Sequence, residues 1–149
     1  PNLDRLAAAG ARLEQFYVLP VCSPTRAALL TGRYPIRHGL QLSVVRPWAQ
    51  YGLPLEERTL PQALREAGYA TAMSGKWHLG ANLPPSEGFS YWVTKPDGHT
   101  KEFYNQEVIE DGKVRMEAGY TTDLWTRKGI EFIDKIVIFD HSQFRMIAP

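Results

Sequence analysis

Apolar and polar positions along this chain fall into several short regimes, each with its own boundary signals. Asn2 reads as the N-cap of a helix through Ala9, with Gly10 as its stop. Leu13 to Leu19, rich in Phe16, Tyr17 and Val18, predicts a strand that delivers the chain to residue 22. A second helix follows from about Ser23 to Thr31. Ser23 or Cys22 can cap it, Pro24 suits its first turn, and Gly32 supplies a left-handed stop. Residues 33 to 58 carry Pro35, Pro47 and Pro54 without helical periodicity and read as a long loop over the site, of a length that is usually functional.

Thr59-Leu60-Pro61-Gln62 is a capping box that opens a third helix ending at Gly68. Tyr69 to Ser74 predicts a short buried strand whose end presents Gly75-Lys76-Trp77-His78. Gln106 to Met116, with Asp111-Gly112 at its centre, predicts a hairpin with a tight turn. Thr121 or Thr122 caps a last helix on which Trp125, Phe132, Ile133 and Ile136 share one stripe at 3.6 periodicity. Lys135 to Phe139 remains open to a strand reading, with Asp140 and His141 at its end. The whole reads as one continuous piece of a larger α/β domain, without repeats or linkers.

Composition narrows the function classes. The chain has 149 residues, 44% apolar composition and a net charge of +1 from 17 basic against 16 acidic residues. This balance gives no electrostatic case for nucleic acid or a membrane surface, and no apolar run approaches a bilayer span. The single cysteine excludes an internal disulfide and leaves the redox compartment open. No signal peptide is visible.

That cysteine opens the run Cys22-Ser23-Pro24-Thr25-Arg26-Ala27-Ala28-Leu29-Leu30-Thr31-Gly32-Arg33. Amide groups at the start of the helix, and the positive end of its dipole, would face an anion at residue 22. Arg26 lies one turn further along the same face, where its fork can reach the same anion. The pattern predicts an oxyanion site with a nucleophile in it. Strand ends that face a helix N-terminus are where open α/β sheets hold ligands. Lys76 and His78, two residues apart, would point to one side of an extended segment.

The run from Cys22 to Arg33 resembles the sulfatase signature, C-x-P-x-R followed by a Leu-Leu-Thr-Gly-Arg tail. A second run, Gly68-Tyr69-Ala70-Thr71-Ala72-Met73-Ser74-Gly75-Lys76-Trp77-His78, resembles that family's downstream signature. Pro1-Asn2-Leu3-Asp4-Arg5-Leu6-Ala7 and Gly119-Tyr120-Thr121-Thr122-Asp123 are similar to flanking sulfatase segments. The resemblance covers about residues 1 to 134 and leans toward the arylsulfatase B-like branch; it fades after Asp134, so residues 135–149 are expected to be a divergent end, or the product of a frameshift, in the same partial catalytic domain.

The resemblance implies an alkaline-phosphatase-like fold, a central mixed sheet flanked by helices, and a sulfuric ester hydrolase acting on glycan or aryl sulfates. It implies that a maturation enzyme oxidises Cys22 to Cα-formylglycine. The hydrate of that residue attacks sulfur through one hydroxyl, and the other loses its proton to expel sulfate as the aldehyde re-forms. A plain serine would have no such exit. Arg26 would hold the formylglycine, Lys76 and His78 would bind the sulfate and the ester oxygen, and the converted Cys22 would also touch a calcium ion. In this family the other calcium ligands are an Asp-Asp pair upstream and an Asp-Asn pair downstream of these residues. The polypeptide is therefore expected to be inactive alone. A secreted, periplasmic or lysosomal setting is the family's usual one. A phosphonate or phosphate ester hydrolase of the same superfamily, and a non-enzymatic truncated pseudo-sulfatase, are the alternatives.

The remaining chemistry-bearing residues carry plainer expectations. His38 and His99 read as solvated loop histidines, although Arg37-His38 follows the signature helix closely enough to line a pocket. Trp48, Tyr51, Trp77, Tyr91 and Trp92 read as core or loop packing, or as walls that stack on a sugar or aryl ring. Glu107, Glu110 and Asp111 read as a solvated face, because calcium needs converging oxygens.

Overall fold

The computed structural model describes residues 1–46, 48–80, 88–96 and 100–139, with the side chains of 137–139 excepted. His99, Asp140 and His141 lie outside the described residues. In chain order the elements are α1 (Asn2–Ala9), α2 (Cys22–Thr31), a 3-10 turn (Pro35–Arg37), α3 (Leu60–Glu66), β1 (Ala72–Gly75), β2 (Tyr91–Thr94), β3 (Gln106–Glu110), β4 (Lys113–Glu117) and α4 (Thr121–Phe139). The sheet has the order β1-β2-β3-β4. β1 and β2 are parallel, with Gly75 opposite Thr94, and the other two pairings are antiparallel.

Local signals account for several of these boundaries. Thr59 and Gln62 form the reciprocal capping box at α3. Gly32 ends α2 at φ 66°, its N–H reaching the Ala28 carbonyl. At the β3–β4 turn, Asp111 and Gly112 both take positive φ, 47° and 80°, the combination that a tight turn needs to follow the strand twist. Because successive strand residues face opposite sides, β2 serves two layers. Trp92 packs at 5.1 Å from Trp77, and Tyr91 stacks at 5.6 Å on Phe132 of α4. Ser74 of β1 also donates to the Trp125 carbonyl of α4 at 2.9 Å. The other side holds the main core, made of Ala27, Leu40, Val45, Leu53, Trp77, Leu79, Trp92 and Ile109. The mixed sheet with helices against it is the architecture expected from the sequence.

Several expectations need correction. Leu13–Leu19 is not a strand: Leu13 is 69% and Tyr17 85% exposed, and no strand of the sheet pairs with this segment. Propensity without a neighbouring ladder does not make a strand. Pro1, not Asn2, stands at the N-cap of α1, and the Asn2 side chain accepts from Arg5 instead; Gly10 does follow the helix end at Ala9, in an extended conformation at φ −131°. Val21 occupies the N-cap of α2. β1 starts at Ala72, leaving Tyr69 exposed. β2 had no counterpart in the sequence reading. The Thr121 hydroxyl donates to the Phe103 carbonyl and accepts from Gln106, so it ties α4 to the hairpin. On α4 the stripe holds for Trp125, Phe132 and Ile136, but Ile133 is exposed. Lys135–Phe139 continues α4 and is not a strand.

Glu110 is no solvated acid either. It pairs with Arg115 and Lys128, both at 2.8 Å, and accepts from the Tyr91 hydroxyl at 3.2 Å. Burial and the Glu110 charge push that hydroxyl up to about 12. Burial alone would raise the Glu110 carboxyl, but the bonds from Lys128 and Arg115 outweigh it and hold the group below its ordinary range. A carboxyl depressed in the folded state stabilises fully above its unfolded value, about 4.3, and the gain is lost as pH falls through the folded value. Glu110→Gln is therefore expected to lower the melting midpoint of the full-length protein at pH 7 and to differ less from wild type near pH 3. An offset of the same size at both pH values would contradict this role.

Candidate functional site

The start of α2 and the segment after β1 converge. The first hydrogen bond of α2 runs from Thr25 N–H to the Val21 carbonyl at 3.2 Å. The amides of Cys22 and Ser23 thus precede the helical ladder, at the positive end of the helix dipole. Cys22 is a half-buried free thiol, and its Sγ lies 3.1 Å from Nδ1 of His78. His78 is 3% exposed and takes φ 63°, a left-handed conformation uncommon for a side-chain-bearing residue. The segment from Lys76 to His78 is therefore not extended, and the simple two-residue alternation does not describe it.

Three contacts hold this segment on α2. Arg26 Nη1 donates to the Lys76 carbonyl at 2.5 Å. The Ser23 hydroxyl donates to the His78 carbonyl at 2.7 Å. The third is the Cys22–His78 contact itself. Ser23 is fully buried and also accepts from Val45 N–H at 3.0 Å. One hydroxyl thereby fixes the strained His78 backbone and the loop beyond α2. The sequence reading missed this residue, because a serine beside a helix start reads as a cap.

Electrostatically, the site is cationic and short of counter-charge. Burial lowers the pKa of Arg26, with the nearby Cys22 pulling it back up. The guanidinium stays charged all the same, and no carboxylate among the described residues pairs with it. Lys76 is half-buried beside it. A half-buried cation in the first turns of a helix, with a free thiol at the helix start, makes a setting that suits an anion. The side chains of Cys22, Arg26 and His78 and the backbone of Lys76, spread over 57 positions, thus meet through α2 and the segment after β1.

Other candidates separate. Trp77 and Trp92 are core, whereas Trp48 and Tyr51 are exposed at 77% and 59%. The ring nitrogens of His38 are both buried without a hydrogen-bond partner among the described residues, which overturns its reading as solvated. Glu107 is exposed, and Asp111 accepts from Trp92 N–H at 3.2 Å.

Comparison with known proteins gives these features a family. The profile described as Sulfatase matches residues 1–149. Arylsulfatase A of Homo sapiens is 50% identical over 105 residues, which take in 66% of this chain and 21% of the relative. N-acetylgalactosamine-6-sulfatase of Mus musculus is 35% identical across 89% of this chain and 31% of its own length. Among solved structures, Ps i-CgsB aligns over the whole chain and 40% of its own, with a TM-score of 0.85 at 28% identity. BT4656, solved in complex with its substrate D-glucosamine-2-N,6-O-disulfate, gives 0.73 at 35% identity, over 90% of this chain and 26% of its own. The chain spans about a fifth to a third of the length of these curated relatives. With a family profile over its full extent and the alkaline-phosphatase-like fold of its structural neighbours, this chain belongs to the sulfatase family.

Proposed function

We propose that this chain carries the nucleophile and part of the sulfate site of a sulfuric ester hydrolase, with Cys22 converted to formylglycine by a maturation enzyme. The observation that carries the reading is the contact of Cys22 with His78 beside the carboxylate-free Arg26. The hydrated formylglycine supplies both an attacking hydroxyl and an exit for sulfate. Around it, this chain's residues position and neutralise. Arg26 holds residue 22 and the charge that develops on it, while its bond to the Lys76 carbonyl ties the Lys76 backbone to α2. Lys76 binds the sulfate oxygens, and His78 bonds the ester oxygen as the alcohol departs. Cations aimed at a spreading anionic transition state are the largest contribution such a site can make.

Calcium fits these residues less well. It takes about six to eight oxygen ligands, and among the described residues no group of three or more His, Cys, Asp or Glu side chains is placed to hold a metal ion. The converted Cys22 offers one contact at most, so these residues do not by themselves make a calcium site and no step is derived through the ion. In this reading the other ligands come from elsewhere in a longer polypeptide, and these 149 residues are inactive alone. Among the described residues, no helix is long and apolar enough to cross a membrane.

The test is hydrolysis of matched sulfate, phosphate and phosphonate esters of one alcohol by the full-length protein, produced with a maturation enzyme. Preference for the sulfate ester is expected. Faster turnover of the phosphorus esters would replace the reading with the phosphate or phosphonate hydrolase of the same superfamily. Turnover of none, with residue 22 converted, would favour a non-enzymatic sulfatase relative.

A further inference from the structure

The loop after the 3-10 turn is anchored at two points, and each anchor lies beside a different half of the candidate site. Val45 N–H donates to the hydroxyl of Ser23, the neighbour of Cys22, at 3.0 Å. Leu53 N–H donates to the carbonyl of Leu79, the neighbour of His78, at 2.8 Å. Gly52 approaches this second anchor so closely that a Cβ there would lie 2.3 Å from the Leu79 carbonyl oxygen and 2.8 Å from Gly80 Cα. Only glycine permits that backbone contact. Val45 and Leu53 themselves are buried in the core. The described residues between the anchors, Arg46 and Trp48–Gly52, thus fall between an anchor on the α2 side of the site and one on the His78 side.

What this bridge displays is not what a simple connection needs. Trp48 is 77% exposed and Tyr51 59%. The Arg46 guanidinium carbon lies 5.9 Å from the centroid of the Trp48 ring, close enough to orient it through a cation–π contact. Arg46 is itself exposed, and no carboxylate among the described residues pairs with it. Trp48 is three residues from Val45, so their Cα atoms are at most about 11 Å apart. Tyr51 adjoins Gly52. An exposed indole with a guanidinium over its ring offers apolar surface next to a positive charge. This suits the apolar face of a sugar ring that carries an anionic substituent.

We infer that the bridge between Val45 and Gly52 forms a specificity arch beside the reaction centre. Trp48 is the platform for the sugar ring of the sulfate ester, and Arg46 contacts a second anionic group on that ring. The inference rests on the sulfate-ester reading above and specifies its substrate as a sulfated sugar with further negative charge.

The test compares Trp48→Ala, Trp48→Phe and Arg46→Gln with wild type in the full-length protein. Three substrates are used: a disulfated monosaccharide, its monosulfated form and a small alkyl sulfate without a ring. Trp48→Ala is expected to raise KM about tenfold for both sugars, the scale of one lost stacking contact, with kcat and the alkyl sulfate unchanged. Trp48→Phe should recover most of the loss, and Arg46→Gln should weaken only the disulfated sugar. Quenching of tryptophan fluorescence by the disulfated sugar, absent in Trp48→Phe, gives a readout independent of turnover. If wild type hydrolyses no ester but the sugar quenches Trp48, the sulfatase reading fails and the arch stands. If hydrolysis proceeds and the substitutions affect all three substrates alike or not at all, the arch is wrong and the sulfatase reading stands. Absence of both quenching and hydrolysis overturns both.

Discussion

Cys22→Ala in the full-length protein is expected to abolish sulfate-ester turnover while leaving the fold in place. Removing a covalent nucleophile costs far more than removing one of its supports, commonly above a thousandfold. The structural cost is small. Cys22 is half-buried at the first position of α2, its Sγ contact is to His78, and alanine is the best helix former. Loss of activity with an unchanged melting curve would thus report chemistry. Cys22→Ser separates the hydroxyl from the aldehyde: serine can accept sulfate but has no second oxygen through which to expel it, so at most one turnover per site is expected. The same assignment predicts the mass of the wild-type peptide that contains residue 22. Conversion replaces sulfur and two hydrogens by one oxygen, and the peptide becomes lighter. An unmodified thiol in active enzyme, or full activity in Cys22→Ala, would remove Cys22 from the mechanism.

What the sequence revealed depended on how local each signal was. The α3 capping box, the Gly32 stop and the Asp111-Gly112 turn act within a few residues, and each appears where its chemistry requires it. The failures are non-local. Leu13–Leu19 has strand composition but no neighbour to pair with. Tyr91–Thr94 is too short to show a pattern, and becomes β2 because β1 and β3 lie on either side of it. Glu110 looked solvated because Arg115 and Lys128 reach it from another strand and another helix. At the site, the two signatures supplied Cys22, Arg26, Lys76 and His78, but not the way they are fastened together. The two bonds of Ser23 span 55 and 22 positions, and one of them holds the carbonyl of His78 at its left-handed turn. Sequence patterns named the candidate groups; packing between distant segments sets where they stand.

His78→Ala and Lys76→Ala are each expected to cost about a hundredfold or more in kcat/KM, as for other groups that contact a developing oxyanion. Their signatures should differ. Lys76 faces the sulfate in this reading, so its loss should slow every sulfate ester by a similar factor. If His78 bonds the ester oxygen, its loss should matter most where the departing alcohol is least acidic, since a nitrophenol needs little help in leaving and a sugar hydroxyl needs much. His78→Ala is then expected to slow a sugar sulfate far more than nitrophenyl sulfate. Because His78 is buried and holds φ 63°, alanine also adds backbone strain, and a second variant is needed. Asparagine tolerates the left-handed conformation well and sets its amide near the position of Nδ1, the atom 3.1 Å from Cys22 Sγ. His78→Asn should therefore keep the fold and the approach to residue 22, yet show the same dependence on leaving group as His78→Ala. Equal losses on sugar and nitrophenyl sulfates in both variants would move His78 from the ester oxygen to the sulfate or to residue 22, and wild-type rates in either would take it out of the site.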